Sequence, residues 1–198
     1  MCMVINMKKH KEAILYRILR PIVTVLVKLI YRPKIIGSKN IPKEGRIILA
    51  GNHTNIFDCL LLIASTKRSI HFLAKDELWK GIKKILFSNL GLIPVNRRQK
   101  DHKALESAYS YLRDEKVIGI FPEGTIGKKG ILPFKMGAVK MAGVTDTKIV
   151  PFAITGKYKI FSNNLKIVFG KTIKIDNKEL EHENDELRNI IIKMVGVK

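Results

Sequence analysis

A histidine and an aspartate stand five positions apart in the stretch GNHTNIFD, residues 51–58, which holds no other charged side chain. Neutral imidazole is the side chain best matched to taking a proton near neutral pH. A carboxylate on its Nδ1–H fixes the tautomer and stabilises the imidazolium that forms, which leaves Nε2 for the proton of a nucleophile. His53 and Asp58 are therefore candidates for a general base and its orienting group. The same spacing also suits a helix N-cap aspartate beside a buried histidine, with no chemistry attached.

The elements around the pair decide whether the two side chains can meet. An apolar strand-like run, Ile47 to Ala50, precedes it, and an apolar helical run, Cys59 to Ala64, follows it. Beyond Ile35 this alternation continues. Strands are expected at Ile47–Ala50, Ile70–Leu73, Leu92–Pro94, Val117–Phe121, Ile149–Ile154 and Leu165–Phe169. Helices are expected at Asp58–Ala64, Glu77–Phe87, Lys103–Arg113 and Glu179–Val195, with Asp58 placed to cap the first. Such a pattern gives an α/β fold: a mixed, largely parallel sheet flanked by helices. Sites in such folds form at the carboxyl ends of the strands, which is where His53 lies.

Residues 1–34 read differently, as an N-terminal basic amphipathic helical element ahead of an α/β domain over 35–198. Eight cations face one acid, Glu12, and Ile14, Leu15, Ile18, Leu19, Ile22, Val23, Leu26, Val27 and Ile30 recur at helical steps. Pro21 is expected to end one helix or begin another. The uncharged run from Pro21 to Val27 is far short of the ~20 residues that span a bilayer. Two destinations suit such a helix: its apolar face packs on its own domain, or it lies in a membrane interface with its cations among anionic headgroups.

The totals narrow the partners. Thirty-seven Lys and Arg against 17 Asp and Glu leave a formal charge of +20 over 198 residues. That field attracts anionic partners: nucleic acid, anionic lipid, phosphorylated small molecules or an acidic carrier protein. Nucleic-acid binding is the remote reading, because the aromatic residues lie in apolar patterns and not on a basic face. Two cysteines and five scattered histidines give neither a disulfide framework nor metal-ligand spacing, so no metal or cofactor is expected.

Three further blocks sit where expected strands end: GLIPVNRR at 91–98, FPEGT at 121–125 and KIVPFAITG at 148–156. With NHxxxxD these blocks, in this order over residues 35 to 170, resemble the glycerolipid acyltransferase family, and within it the bacterial 1-acylglycerol-3-phosphate acyltransferases. The resemblance implies acyl transfer from a thioester, on coenzyme A or acyl carrier protein, to a hydroxyl of a glycerol phosphate lipid. The acceptor would be lysophosphatidic acid and the product phosphatidic acid. Glycerol 3-phosphate or another lysophospholipid is the alternative acceptor. His53 would deprotonate the hydroxyl and Asp58 would orient His53. No enzyme nucleophile is needed, which agrees with the lack of a G-x-S-x-G elbow. Backbone N–H groups are expected to hold the oxyanion.

The resemblance also distributes the acceptor site. Arg97 and Lys75 would reach the phosphate, while Glu123, Gly124 and Thr125 would lie at the acceptor glycerol. Many relatives carry an arginine after FPEGT, where this chain has Ile126, so Lys128, Lys129 or Lys135 is expected to supply the missing charge. Lysine lacks the planar fork of arginine, which loosens selectivity for phosphate. The basic leader resembles the element with which small bacterial members sit in one leaflet. Its expected place is an anionic membrane surface, peripheral or monotopic on the cytoplasmic face of the cell membrane.

Overall fold

A computed structural model describes residues 14–78, 89–96, 102–127 and 130–196. Within them seven strands form one sheet: β1 (Lys34–Ile36), β2 (Ile47–Gly51), β3 (Ile70–Lys75), β4 (Ile93–Val95), β5 (Val117–Ile120), β6 (Ile149–Thr155) and β7 (Lys166–Phe169). Five helices accompany it: α1 (Ile14–Tyr31), α2 (Asp58–Ser65), α3 (His102–Arg113), α4 (Gly137–Thr145) and α5 (Leu180–Gly196). The strand order is β1-β7-β6-β2-β5-β3-β4. Every neighbouring pair is parallel except β6 and β7, so the α/β fold with a mixed, largely parallel sheet is as expected.

The register explains why a site can form. β2 is central, pairing Ile47–Ala50 with Val117–Ile120 on one side and Ile48–Gly51 with Ile149–Phe152 on the other. The carboxyl ends of β2, β5 and β6 therefore finish at one edge, joined there by those of β3 and β4. All five residues of β2 are buried, as an uninterrupted apolar strand covered on both faces requires. Its side chains alternate between two cores. Ile47 and Leu49 join Leu61, Leu62 and Phe152 on the α2 side, while Ile48 and Ala50 join Leu112, Met141 and Ile191 on the other. Each such aliphatic side chain contributes about 1.5–3 kcal/mol on burial.

Helix α1 runs unbroken through Pro21, against the expected split. Proline has no N–H to donate and its ring crowds the preceding turn. Pro21 lies on an exposed flank, and the helix is held to the domain from its other side. Tyr16 and Val27 are buried there, the Tyr16 hydroxyl accepts the Ile70 N–H at 3.1 Å, and Arg20 Nε donates to the Thr66 carbonyl at 3.2 Å. The outer flank is also apolar: Ile14, Ile18, Ile22, Val25, Leu26 and Leu29 are between 50% and 75% exposed. The helix thus has one apolar face on the domain and another with no cover among the described residues.

Two elements escape the sequence pattern. β1 is three residues long and begins with a lysine, and α4 is a nine-residue helix that holds two glycines and leaves the apolar Val144 exposed, so its apolar residues do not mark one face. The expected helix over Glu77–Phe87 falls mostly outside the described residues; Asp76–Leu78 is a short 3-10 turn.

Candidate active site

The site grows from the end of β2. Gly51 has no room for a side chain, because a Cβ there would lie 2.3 Å from the Phe152 ring. Asn52 follows, buried, and clamps β2 to β6: its Nδ2 donates to the Ile154 carbonyl at 2.9 Å and its Oδ1 accepts the Ile154 N–H at 2.7 Å. The chain then leaves the sheet as a short loop that ends at α2.

Asp58 is fully buried at the first turn of α2. Phe57 occupies the cap position without a side-chain bond, so the expected capping by Asp58 does not occur. Its carboxylate turns back onto the loop instead. Oδ2 accepts the backbone N–H groups of Thr54 and Asn55 and lies 2.9 Å from His53 Nδ1; Oδ1 accepts the Thr54 hydroxyl at 3.1 Å. A buried carboxylate requires this density of donors.

His53 is held from three directions. Asp58 takes Nδ1, the Phe121 ring stacks on the imidazole at 4.2 Å and 19°, and the Glu123 carboxylate accepts the His53 N–H at 2.8 Å. Gly127 N–H also donates to the His53 carbonyl at 2.9 Å. Glu123 of FPEGT and Gly127, two residues beyond that block, therefore grip the peptide on both sides of the histidine. With Nδ1 engaged, Nε2 is the nitrogen left toward the adjoining cavity, and the side chain is 18% exposed.

One residue that touches the pair has no signal in the local sequence. Tyr158, just beyond β6, donates its hydroxyl to Asp58 Oδ1 at 2.6 Å. Burial, then the charge of Asp58, hold its phenol protonated well above the ordinary range. It packs edge-on against Tyr31 of α1, at 5.3 Å, and beside Phe57, at 6.0 Å. Only the adjacency of β6 to β2 brings residue 158 to residue 58. Cys59, next to Asp58, is no rival nucleophile: burial and the neighbouring carboxylate push its thiol up to about 12.

The cavity in front of His53 has a volume of about 660 Å³. Phe72, Leu73, Val95, Leu105, Ile120 and Phe121 are among its apolar lining, and Lys75 and Lys135 line it too. Gly124 and Thr125 line it, as does Ile126. Gly124 has φ of +70°, so the turn needs glycine, and the Lys135 ammonium lies close against it. Glu123 is buried, with one oxygen on the His53 N–H and the other on the Leu132 N–H at 2.8 Å. Arg97, Lys128 and Lys129 lie outside the described residues.

The chain is similar to known proteins in sequence and in fold. The family model described as Acyltransferase matches residues 32–155. A relative named 1-acyl-sn-glycerol-3-phosphate acyltransferase from Borreliella burgdorferi is 34% identical over 78% of this chain and 66% of its own length. One of the same name from Bacillus subtilis is 26% identical over 71% of this chain and 73% of its own. This chain thus spans just under two thirds of the first relative. In fold, the crystal structure of the 1-acyl-sn-glycerophosphate acyltransferase of Thermotoga maritima matches 90% of this chain and 78% of its own with a TM-score of 0.69, at 20% identity.

Proposed function

The chain belongs to the acyltransferase family, and from that premise we propose that it moves a fatty acyl group from a thioester to the sn-2 hydroxyl of 1-acylglycerol 3-phosphate. The products are phosphatidic acid and the thiol of coenzyme A or acyl carrier protein. His53 Nε2 takes the hydroxyl proton as the oxygen attacks the thioester carbonyl. The tetrahedral intermediate then collapses, the C–S bond breaks, and the leaving thiolate takes the proton back from the imidazolium. Asp58 fixes the tautomer and compensates the positive charge that appears on the ring. The names of the two bacterial relatives support the acceptor.

The observation that carries the reading is the buried Asp58 on His53 Nδ1, with the other ring nitrogen left toward a cavity whose lining divides between apolar side chains and two lysines. That division suits a substrate with acyl chains and a phosphate. Lys75 and Lys135, which line the cavity, bind the phosphate in this reading, and the family resemblance adds Arg97 and Lys128 to them. The backbone N–H groups of His53, Thr54, Asn55, Gly124 and Gly127 are already engaged, so oxyanion donors come from other groups at the cavity.

The acceptor is a lipid, and α1 offers a way to meet it. No helix among the described residues is long and apolar enough to cross a membrane. The outer flank of α1, with Arg17 and Lys28 exposed on the same helix, suits a leaflet of anionic lipid approached from the cytoplasmic side. The test is direct. Purified protein is offered lysophosphatidic acid, glycerol 3-phosphate and lysophospholipids of other headgroups, each with acyl-coenzyme A and acyl carrier protein thioesters, and the products are identified by mass. Phosphatidic acid is the expected product. Acylation of a different headgroup with no phosphatidic acid would reassign the acceptor, as Ile126 at the cavity allows.

A further inference from the structure

We propose that the β6–β7 loop, residues 156–164, is a second lipid-contact element, which places Ile160 and Phe161 in the same leaflet as the outer flank of α1. The proposal rests on the membrane attachment argued above. Its own observations lie elsewhere in the chain. Ile160 is 61% exposed and Phe161 67% exposed, at the tip of a loop where polar residues would be expected. Lys157 and Lys159, both exposed, lie just before them, and the Arg32 guanidinium stands 5.6 Å from the Phe161 ring. Apolar tips set among cations suit an anionic lipid surface, whose acyl region takes the rings and whose headgroups take the charges.

The loop is held in that position. Phe161 N–H donates to the Ile30 carbonyl at 2.7 Å, which fastens the tip to the end of α1 beside Leu29, the last exposed apolar residue of the outer flank. Arg32 and Phe161 both have left-handed backbone, φ of +43° and +55°, a conformation bulky residues rarely adopt. Backbone of this kind persists where its surroundings over-determine it, and it is common at functional contacts. The apolar surface thus passes from α1 to the loop, which favours one lipid plane over a separate protein partner.

The loop also reaches the catalytic pair. Tyr158, two residues before Ile160, carries the hydroxyl on Asp58. A loop seated in lipid therefore bears on the orientation of the carboxylate behind His53.

The experiment uses the full chain and binding readouts that need no acyl transfer. With the native tryptophan removed as Trp79→Phe, Phe161→Trp is titrated with phosphatidylglycerol–phosphatidylcholine vesicles, plain and with brominated chains. A blue shift of its emission and quenching by the brominated lipid are expected. Emission that does not change while the protein sediments with the vesicles would overturn the proposal. Ile160→Ser/Phe161→Ser, with α1 intact and an unaltered melting temperature, should partition about tenfold more weakly or less well still. Unchanged partition would overturn it, as would lipid-free self-association that this variant abolishes without affecting vesicle binding. Quenching with no phosphatidic acid formed would leave the lipid contact standing and reject only the acceptor assignment.

Discussion

Tyr158 donates its hydroxyl to the oxygen of Asp58 that His53 does not use, at 2.6 Å. The carboxylate is fixed from both ends, by an imidazole on its own loop and by a phenol from the far side of β6. Tyr158→Phe keeps the ring and removes only the donor. It should lower kcat about 3–30-fold with little change in acceptor KM, because the loss falls on the orientation of the base. A thermal melt within a few degrees of the parent, measured beside steady-state kinetics, separates this positioning role from a packing role.

His53→Ala should lower turnover by about 10²–10⁴ while circular dichroism and the melting transition stay near those of the parent. Asp58→Asn leaves an amide where Nδ1–H needs an acceptor, and should be as severe. Equal rates in parent and both variants would end the general-base reading.

Lys135→Ala and Lys75→Ala should each raise the acceptor KM more than they lower kcat, since phosphate is present before and after the reaction. The double variant should also blunt the dependence of KM on ionic strength, because two of the charges screened by salt are gone. Saturation curves at low and high salt check both. A change in donor KM alone would move these lysines to the thioester's side of the cavity.

Cys59 has a thiol raised to about 12. The thiolate is the reactive form, so its fraction at pH 8 falls about a thousandfold below that of an ordinary cysteine. Alkylation of the Cys59 peptide by iodoacetamide, followed by mass spectrometry, should be correspondingly slow at pH 8. The rate should rise with pH up to the unfolding limit. Acyl transfer should survive Cys59→Ala.

Gly51→Ala should reduce stability by about 2–3 kcal/mol, since its methyl group would overlap the Phe152 ring in a packed sheet. In a chain of this size that is roughly 5–10 °C of melting temperature, to be read by calorimetry. An unchanged transition would mean that β2 and β6 are able to move apart at this point.

What could be read in the chain beforehand follows from how locally each feature is encoded. β2 is a continuous apolar run because both of its faces are covered, and it announces itself. The His53–Asp58 contact spans five positions and needs only a tight loop. Tyr158 is a different case. It enters through the order of strands in the sheet, which leaves no trace in the residues around it. Glu123 shows an intermediate case. Its motif is plain in the sequence, but its grip on the His53 and Leu132 N–H groups depends on β5 lying beside β2. The outer flank of α1 was visible as periodicity, though the periodicity could not say that a single helix would present two apolar faces.

The strand order has one more effect, on the newborn chain. β2 lies between β5 and β6, both made later, so His53 and Asp58 leave the ribosome well before the segments that flank them. Until residue 158 has emerged, a growing polypeptide holds the acid–base couple without its phenolic brace. A half-made product therefore lacks this hydrogen bond, and the carboxylate is gripped from both ends only when translation has delivered the partner from downstream.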